Sequence, residues 1–211
     1  MPKVVDEQMR EATRRRIIRE AAREFARLGF DQTNIQTIAK QAEIGKGTIY
    51  LYFENKRELF LSMLRDIAQD HLMAIRTALA ASGSFQQRLE RLFLAFVHLA
   101  EQESDSFNVY MSALYGVNRA FQDEAIKLLR DYLTAIALVL EESQMTGEIP
   151  PCDVEATALL VLSLTESSVL AAKVLGQSEQ EIAQQAPYVA QLILRGIGSS
   201  PSLSRAQTCL N

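Results

Sequence analysis

Between residues 46 and 57 the chain gathers side chains suited to gripping a polyanion. Lys46, Lys56 and Arg57 are fixed cations, Thr48, Tyr50 and Tyr52 carry hydroxyl donors, and Gly47 contributes an absence of bulk. Several of these placements run against local preference. Lys46 falls in the first turn of a short helix predicted over about 46–53. Lys56 and Arg57 fall in the first turn of a long one predicted over about 56–81. Helix N-termini carry partial positive charge, so cations there are mildly unfavourable unless a phosphate docks at that end. On the short helix Ile49 and Phe53 claim the one face that can be buried, which leaves Tyr50 and Tyr52 at least partly outside. A phenol there can donate to a phosphate oxygen while its ring packs on the sugar. Gly47 costs roughly 1 kcal/mol inside a helix and makes sense where a second backbone comes close. Thr48 beside it can meet a thymine methyl or a phosphate. Bland counterparts stay open: a lysine tolerated in water, a tyrosine folded back onto the first helix, a frayed first turn.

The elements that must hold these residues are helical. The chain has 211 residues, with 26 Ala and 27 Leu against 25 Val and Ile together, a balance that favours an all-α protein. Glycine and proline are absent from 48–82, 84–115, 117–146 and 152–175, so the long helices lie there and the punctuation lies between them. A first helix is expected over about 11–28, with Ile18, Ala21, Ala22 and Phe25 on its buried stripe, stopping at Gly29. Thr33 and Gln36 have capping-box spacing for a second helix carrying Ile35, Ile38, Ala39 and Ala42. A turn of about three residues then leads to the 46–53 helix, a helix-turn-helix whose second member would enter the major groove.

Charge supports that placement. Residues 1–60 carry 12 Lys+Arg and 9 Asp+Glu, and the remainder is net negative, within an overall charge of −4. A basic head on an acidic body fits a nucleic-acid partner, although solvated helix faces give a similar count. Other functions lack support. No Ser-His-Asp spacing, phosphate loop or H-E-x-x-H signature occurs, so no enzyme activity and no cofactor are expected. With only His71 and His98 and no cysteine pair, no metal site is expected, and His71 is better read as a hydrogen-bonded core histidine. Cys152 and Cys209 read as free thiols. The charge-free apolar runs are short, and the first ten residues hold no apolar signal segment, so the expected location is the cytoplasm with no membrane partner.

Gly29-Phe30, Thr33, Ile38-Ala39, Ala42, Ile44, Gly47-Thr48-Ile49-Tyr50, Tyr52-Phe53, Lys56 and Leu59 agree in register with one known pattern. Over about residues 11–71 the chain resembles the DNA-binding domain of the TetR (tetracycline-repressor) family. The resemblance implies that Thr33 caps helix two and touches a phosphate. It implies that Lys46, Gly47 and Thr48 form the groove-facing start of the recognition helix, and that Tyr50, Tyr52 and Lys56 clamp phosphates. Glu43 stands where the family often has Gly, and Gly45 where it often has a Ser cap.

The expected fold is therefore all-α: a three-helix helix-turn-helix head followed by a larger helical ligand-binding and dimerisation bundle, about nine helices in all. The expected divisions are an N-terminal mobile arm over 1–10, the head over 11–55 with its motif at about 35–54, a connecting helix over 56–82, the body over 83–198, and a mobile tail over 199–211. One head reads too little DNA for strong specificity, so a homodimer on a palindromic operator is expected. The resemblance puts its interface on the last two long helices. Phe93, Phe96, Phe107, Tyr110, Met111, Tyr115, Phe121 and Tyr132 could enclose a small apolar or amphipathic ligand, or they could be ordinary core. Glu166, mid-helix among apolar residues, could read a cationic ligand, pair across the dimer or lie on an exposed strip. The expected function is a ligand-released repressor. The alternatives are a DNA-binding regulator without small-molecule control, or a helical carrier or enzyme that keeps a vestigial head.

Overall fold

The computed structural model describes residues 2–116 and 119–198 and is helical, with no strand among the described residues. Helices α1 (Pro2–Gln32), α2 (Ile35–Gln41) and α3 (Lys46–Ile49) are followed by the long α4 (Lys56–Ala80), then α5 (Phe85–Gln102) and α6 (Ser104–Tyr115). A 3-10 turn (Arg119–Phe121) leads into α7 (Gln122–Met145), then come α8 (Val154–Val174), α9 (Glu179–Ala183) and α10 (Ala186–Gly198). The expected final helix is divided: α9 opens with the Ser178–Glu181 capping box, and the chain breaks just after it. Pro187 sits in the first turn of α10, where its missing N–H has no intrahelical partner to lose. Counting α9 and α10 as one interrupted element, the described residues form the nine expected α-helices. The tail over 199–211, with Cys209, lies outside the described residues.

Two compact units emerge, and their boundary is not the expected one. The first holds residues 1–71 and 103–128, so α6 and the start of α7 group with the head; the second holds 72–102 and 129–211. The expected loose arm over 1–10 is instead helical from Pro2 onward.

The core of the first unit contains the expected stripes of α1 and α2, Ile18, Ala21, Ala22 and Phe25 with Ile35, Ile38, Ala39 and Ala42. Ile17 of α1, Ile49 and Phe53 around α3, and Leu59, Phe60, Met63 and Leu64 of α4 are buried with them. Phe25 meets Phe60 edge-on at 4.9 Å, and Phe60 meets Phe121 at 4.2 Å. Aromatic pairs of this kind contribute about 1 kcal/mol beyond their buried area. His71 closes α4's part of this unit, edge-on to Tyr110 and near Phe107. It is a core histidine, as expected, but its Nε2 has no hydrogen-bond partner among the described residues. Burial drives its pKa from 6.5 down to about 4, so the folded protein holds it neutral. Its contribution to stability is then complete above pH 6.5 and falls as the pH drops from 6.5 to 4, because the unfolded chain takes up the proton first. His71→Phe should shrink the loss of unfolding free energy between pH 7 and pH 4.5 by about 2 kcal/mol. Urea titrations of both proteins at the two pH values check this, and equal losses would contradict it.

In the second unit α5 packs against α10, α8 and α9. Phe85, Leu92, Phe93 and Phe96 of α5 bury themselves with Tyr132, Ile136 and Leu140 of α7, Val161, Leu162 and Val169 of α8, and Ala190 and Ile193 of α10. Arg88 reaches Glu142 at 2.7 Å, and the Lys173 ammonium donates to the Ala100 carbonyl. Helix α8 carries apolar residues on both sides. Its inward side is buried, yet Leu160 is 61% exposed, Leu164 41% and Val174 80%. By length and composition alone α8 could cross a membrane, which counting charge-free runs did not reveal; Glu155, Glu166 and Lys173 interrupt it.

Candidate nucleic-acid interface

The helix-turn-helix is set by a turn of defined geometry. Ala42 caps α2, the Glu43 N–H donates to the Lys40 carbonyl at 3.1 Å, and the Ile44 N–H reaches back to the Ala39 carbonyl at 3.0 Å. This is the two-bond Schellman ending, which requires a left-handed residue at the position Glu43 occupies. Glu43 has φ 54, so the glycine-type backbone is kept without the glycine. A left-handed non-glycine residue costs about 1–2 kcal/mol. Glu43→Gly should therefore stabilise the protein by roughly 0.5–1 kcal/mol, because relief of that strain outweighs the glycine's added chain entropy. A chemical-denaturation midpoint that falls in this variant would contradict the assignment of strain.

The entry to α2 corrects the expected cap. The Asn34 carboxamide oxygen accepts from the Gln36 N–H at 2.8 Å and is the cap. Thr33 is 3% exposed, and its hydroxyl donates inward, to the Gly29 carbonyl at 2.7 Å and towards that of Glu24 at 3.2 Å. It closes the end of α1, where Gly29 (φ 71) breaks the regular helix, and has no hydroxyl turned out towards a phosphate. The capping energies of Thr and Asn are similar, so the bonds at the end of α1 decide which residue does what.

Lys56 turns towards the end of α1. Its ammonium donates to the carbonyls of Phe30 at 2.8 Å, Thr33 at 3.1 Å and Asp31 at 3.2 Å, and lies 4.6 Å from the centre of the Phe30 ring. Three protons meet three carbonyls, which leaves none for a phosphate. The cation that looked misplaced at the start of α4 is well placed at the carbonyl end of α1. Lys56 thus holds the end of α1 against the start of α4. Lys56→Ala should lower stability by about 2–3 kcal/mol, the scale of charge-assisted hydrogen bonds, as read by urea unfolding. A loss below about 0.5 kcal/mol would mark an ordinary surface lysine.

The remaining candidates lie together on and just after α3. Lys46 and Gly47 are exposed, Thr48 is half-buried, and Tyr50 is 45% exposed. A Cβ added at Gly47 would meet nothing within 4 Å, and its φ is ordinary, so nothing inside the protein requires glycine there. Tyr52 is half-buried beside Phe53 and lies under the Arg10 guanidinium of α1. Leu51, an apolar side chain, is largely exposed beside Tyr50.

The basic head is less free than its count suggests. Arg14 pairs with Asp66 through two bonds of 2.7 and 3.0 Å, and Arg15 pairs with Glu11. Arg19 and Arg23 converge on the buried Glu20, and Arg27 pairs with the buried Glu24. Burial would raise the Glu24 pKa, but hydrogen bonds from Gln41 and Arg27 outweigh it and hold the carboxylate below its ordinary value. The Gln41 bond ties α2 to α1. Much of α1's charge is thus paired, within α1 itself and with Asp66 of α4.

The expected ligand residues are divided. Phe93, Phe96, Tyr132 and Glu166 are buried in the second unit. The Tyr132 phenol is held far above its ordinary pKa by burial and then by the Glu166 charge, so those two lie near each other. Burial excludes Glu166 from an exposed strip. Phe107, Tyr110 and Phe121 are buried in the first unit with Met111 half-buried, whereas Tyr115 is 64% exposed, contrary to an enclosed role. Phe121 instead lines a half-open crevice of about 200 Å³ with Phe25, Phe30, Phe60 and Ser112, smaller than the 300–1,000 Å³ of usual ligand sites. No group of three metal-ligating side chains occurs among the described residues.

Comparison with known proteins agrees with this architecture. Residues 17–63 match the family model for bacterial regulatory proteins of the tetR family. Residues 82–197 match the tetracyclin repressor-like C-terminal domain. An uncharacterized HTH-type transcriptional regulator, YhgD of Bacillus subtilis, is 30% identical over 152 residues, covering 72% of this chain and 80% of that one. The fatty acid metabolism regulator protein of the same organism is 23% identical over 182 residues, covering 86% and 93%. The crystal structure of the transcriptional regulator FadR from Bacillus subtilis in complex with stearoyl-CoA superposes with a TM-score of 0.74 at 22% identity, over 86% of this chain and 98% of that one. The chain belongs to the TetR family and is a DNA-binding transcriptional regulator.

Proposed function

We propose that this regulator is a repressor that binds a palindromic operator as a homodimer and is released by a long-chain acyl-CoA. The observation that carries the DNA contact is the exposed start of α3, where Lys46, Thr48 and Tyr50 surround a glycine with no internal cause. These residues, with Tyr52, are the proposed DNA contacts, and Thr33 and Lys56 shape the backbone behind them. The dimer reading rests on the apolar outer row of α8 and on exposed Tyr188 and Leu192 of α10. Rows of this kind on a monomer mark interaction surfaces.

The ligand class is supported by the stearoyl-CoA in the similar solved structure and by the name of the fatty acid metabolism relative. In the second unit Phe93, Phe96 and Tyr132 offer the apolar and aromatic surroundings an acyl chain needs. Release follows from linkage: a ligand that favours a dimer geometry unfit for successive major grooves weakens DNA binding, and DNA weakens ligand binding by the same factor. The test is titration of stearoyl-CoA into a complex of the protein with its own promoter DNA, followed by fluorescence anisotropy. Release at micromolar ligand supports the proposal. No release by stearoyl-CoA, with release by a lipophilic cation such as tetraphenylphosphonium, would reassign the ligand class and make Glu166 its reader. No release by either would favour control without a small molecule.

A further inference from the structure

Helix α1 begins well before the head's core, and its early turns bring Arg10 to the recognition element. The Arg10 guanidinium lies 5.8 Å from the centre of the Tyr52 ring. Most arginines of the helix are paired: Arg14, Arg15, Arg19, Arg23 and Arg27 each have a carboxylate within salt-bridge distance, whereas Arg10 and Arg16 have none among the described residues, and of these two Arg10 is the exposed one beside Tyr52. Arg10 and Arg14 stand one helical turn apart, a like-charge spacing that is mildly unfavourable on its own. Asp66 neutralises Arg14, and nothing described neutralises Arg10.

We propose that Arg10 is a further phosphate-binding residue, held by the face of Tyr52 at the edge of the DNA surface that α3 presents. A guanidinium over an aromatic ring keeps its N–H groups free to donate, and it is partly ordered before DNA arrives. It therefore loses less side-chain freedom on contact than a lysine on a free arm. The helical start of α1 extends the interface beyond the helix-turn-helix. The proposal rests on α3 being the recognition helix.

The experiment measures affinity for a mixed-sequence 30-base-pair duplex between 50 and 200 mM salt, because a phosphate contact needs no particular sequence. Each phosphate neutralised contributes about 0.9 to the slope of log K against log salt. Arg10→Ala should reduce the steepness by about 0.9 per protomer, with an unchanged melting temperature, and Arg10→Lys should keep most of it. In a Tyr52→Leu background, which removes the ring, Arg10→Ala should have a smaller effect than in the parent. An unchanged slope in Arg10→Ala, with the parent still binding in a salt-sensitive way, would overturn the proposal and leave the DNA-binding reading intact. A lowered melting temperature in Arg10→Ala would mark Arg10 as structural and also overturn it. Salt-insensitive or absent binding by the parent would instead strike the reading of α3 itself.

Discussion

Replacing Leu160 and Leu164 together with glutamate is expected to give a folded monomer that binds its operator at least about 100-fold more weakly than the parent. The two leucines stand one turn apart on the outer side of α8, continued by exposed Ala156, Ser167, Ala171 and Val174. Four-, four-, three-, four- and three-residue steps keep all six on one face of a helix. Burying that row against a second copy would remove several large apolar side chains from water at about 25 cal/mol per Å². Each glutamate would have to be desolvated without a partner, which opposes association strongly. The same substitutions should leave the protomer folded, because the replaced side chains already face water. Losing the second half-site contact forfeits the effective concentration that links two heads, commonly a factor of 10²–10⁴. Sedimentation of parent and variant, with circular dichroism as a control on folding, reads the outcome. A parent that sediments as a monomer, or a variant that stays dimeric, would remove α8 from the interface.

Gly47→Ala is expected to move two measurements in opposite directions. Alanine is about 0.8–1 kcal/mol better than glycine inside a helix, and nothing in the fold obstructs the added methyl group. Stability in urea should therefore rise, or hold if the first turn of the short α3 frays. DNA affinity should fall by about tenfold or more, equivalent to about 1.4 kcal/mol, because the methyl group would stand where a sugar-phosphate backbone must come close. A merely structural glycine would show the reverse pattern. Raised stability with undiminished DNA affinity would show that the glycine is incidental.

Reading the sequence went furthest where the chain punctuates itself. Gly83, Gly147 and Pro150 separate long amphipathic runs, so α4, α5 and α8 could be placed within a few residues. Ile49 and Phe53 showed which side of α3 is inward, and hence that Lys46, Gly47 and Tyr50 face outward. Partners distant in sequence were not legible. The carbonyls that hold Lys56 lie 23 to 26 residues upstream, and no local pattern announces them. Neighbouring Thr33 and Asn34 can both cap a helix, and only the packing of Thr33 against α1 separates their roles. The early turns of α1 lack a sustained apolar stripe in MPKVVDEQMR, so helix and arm looked alike. The ligand residues were grouped by proximity in sequence, and folding distributes them over two units. By contrast, the Glu20 and Glu24 pairs stand at spacings visible in the sequence, and there a local reading could have found the internal neutralisation of α1.

In the proposed complex two copies of α3 read the two halves of one DNA site. Selection from a random duplex library, followed by titration of the enriched DNA against a scrambled duplex of equal length, tests it most directly. The expected result is a palindromic consensus with half-sites about one helical turn apart or a multiple of it. Two protomers or a multiple should bind per site, with an affinity at least about 10³-fold above the scrambled duplex. Enrichment of no consensus, with equal binding to both duplexes, would contradict it.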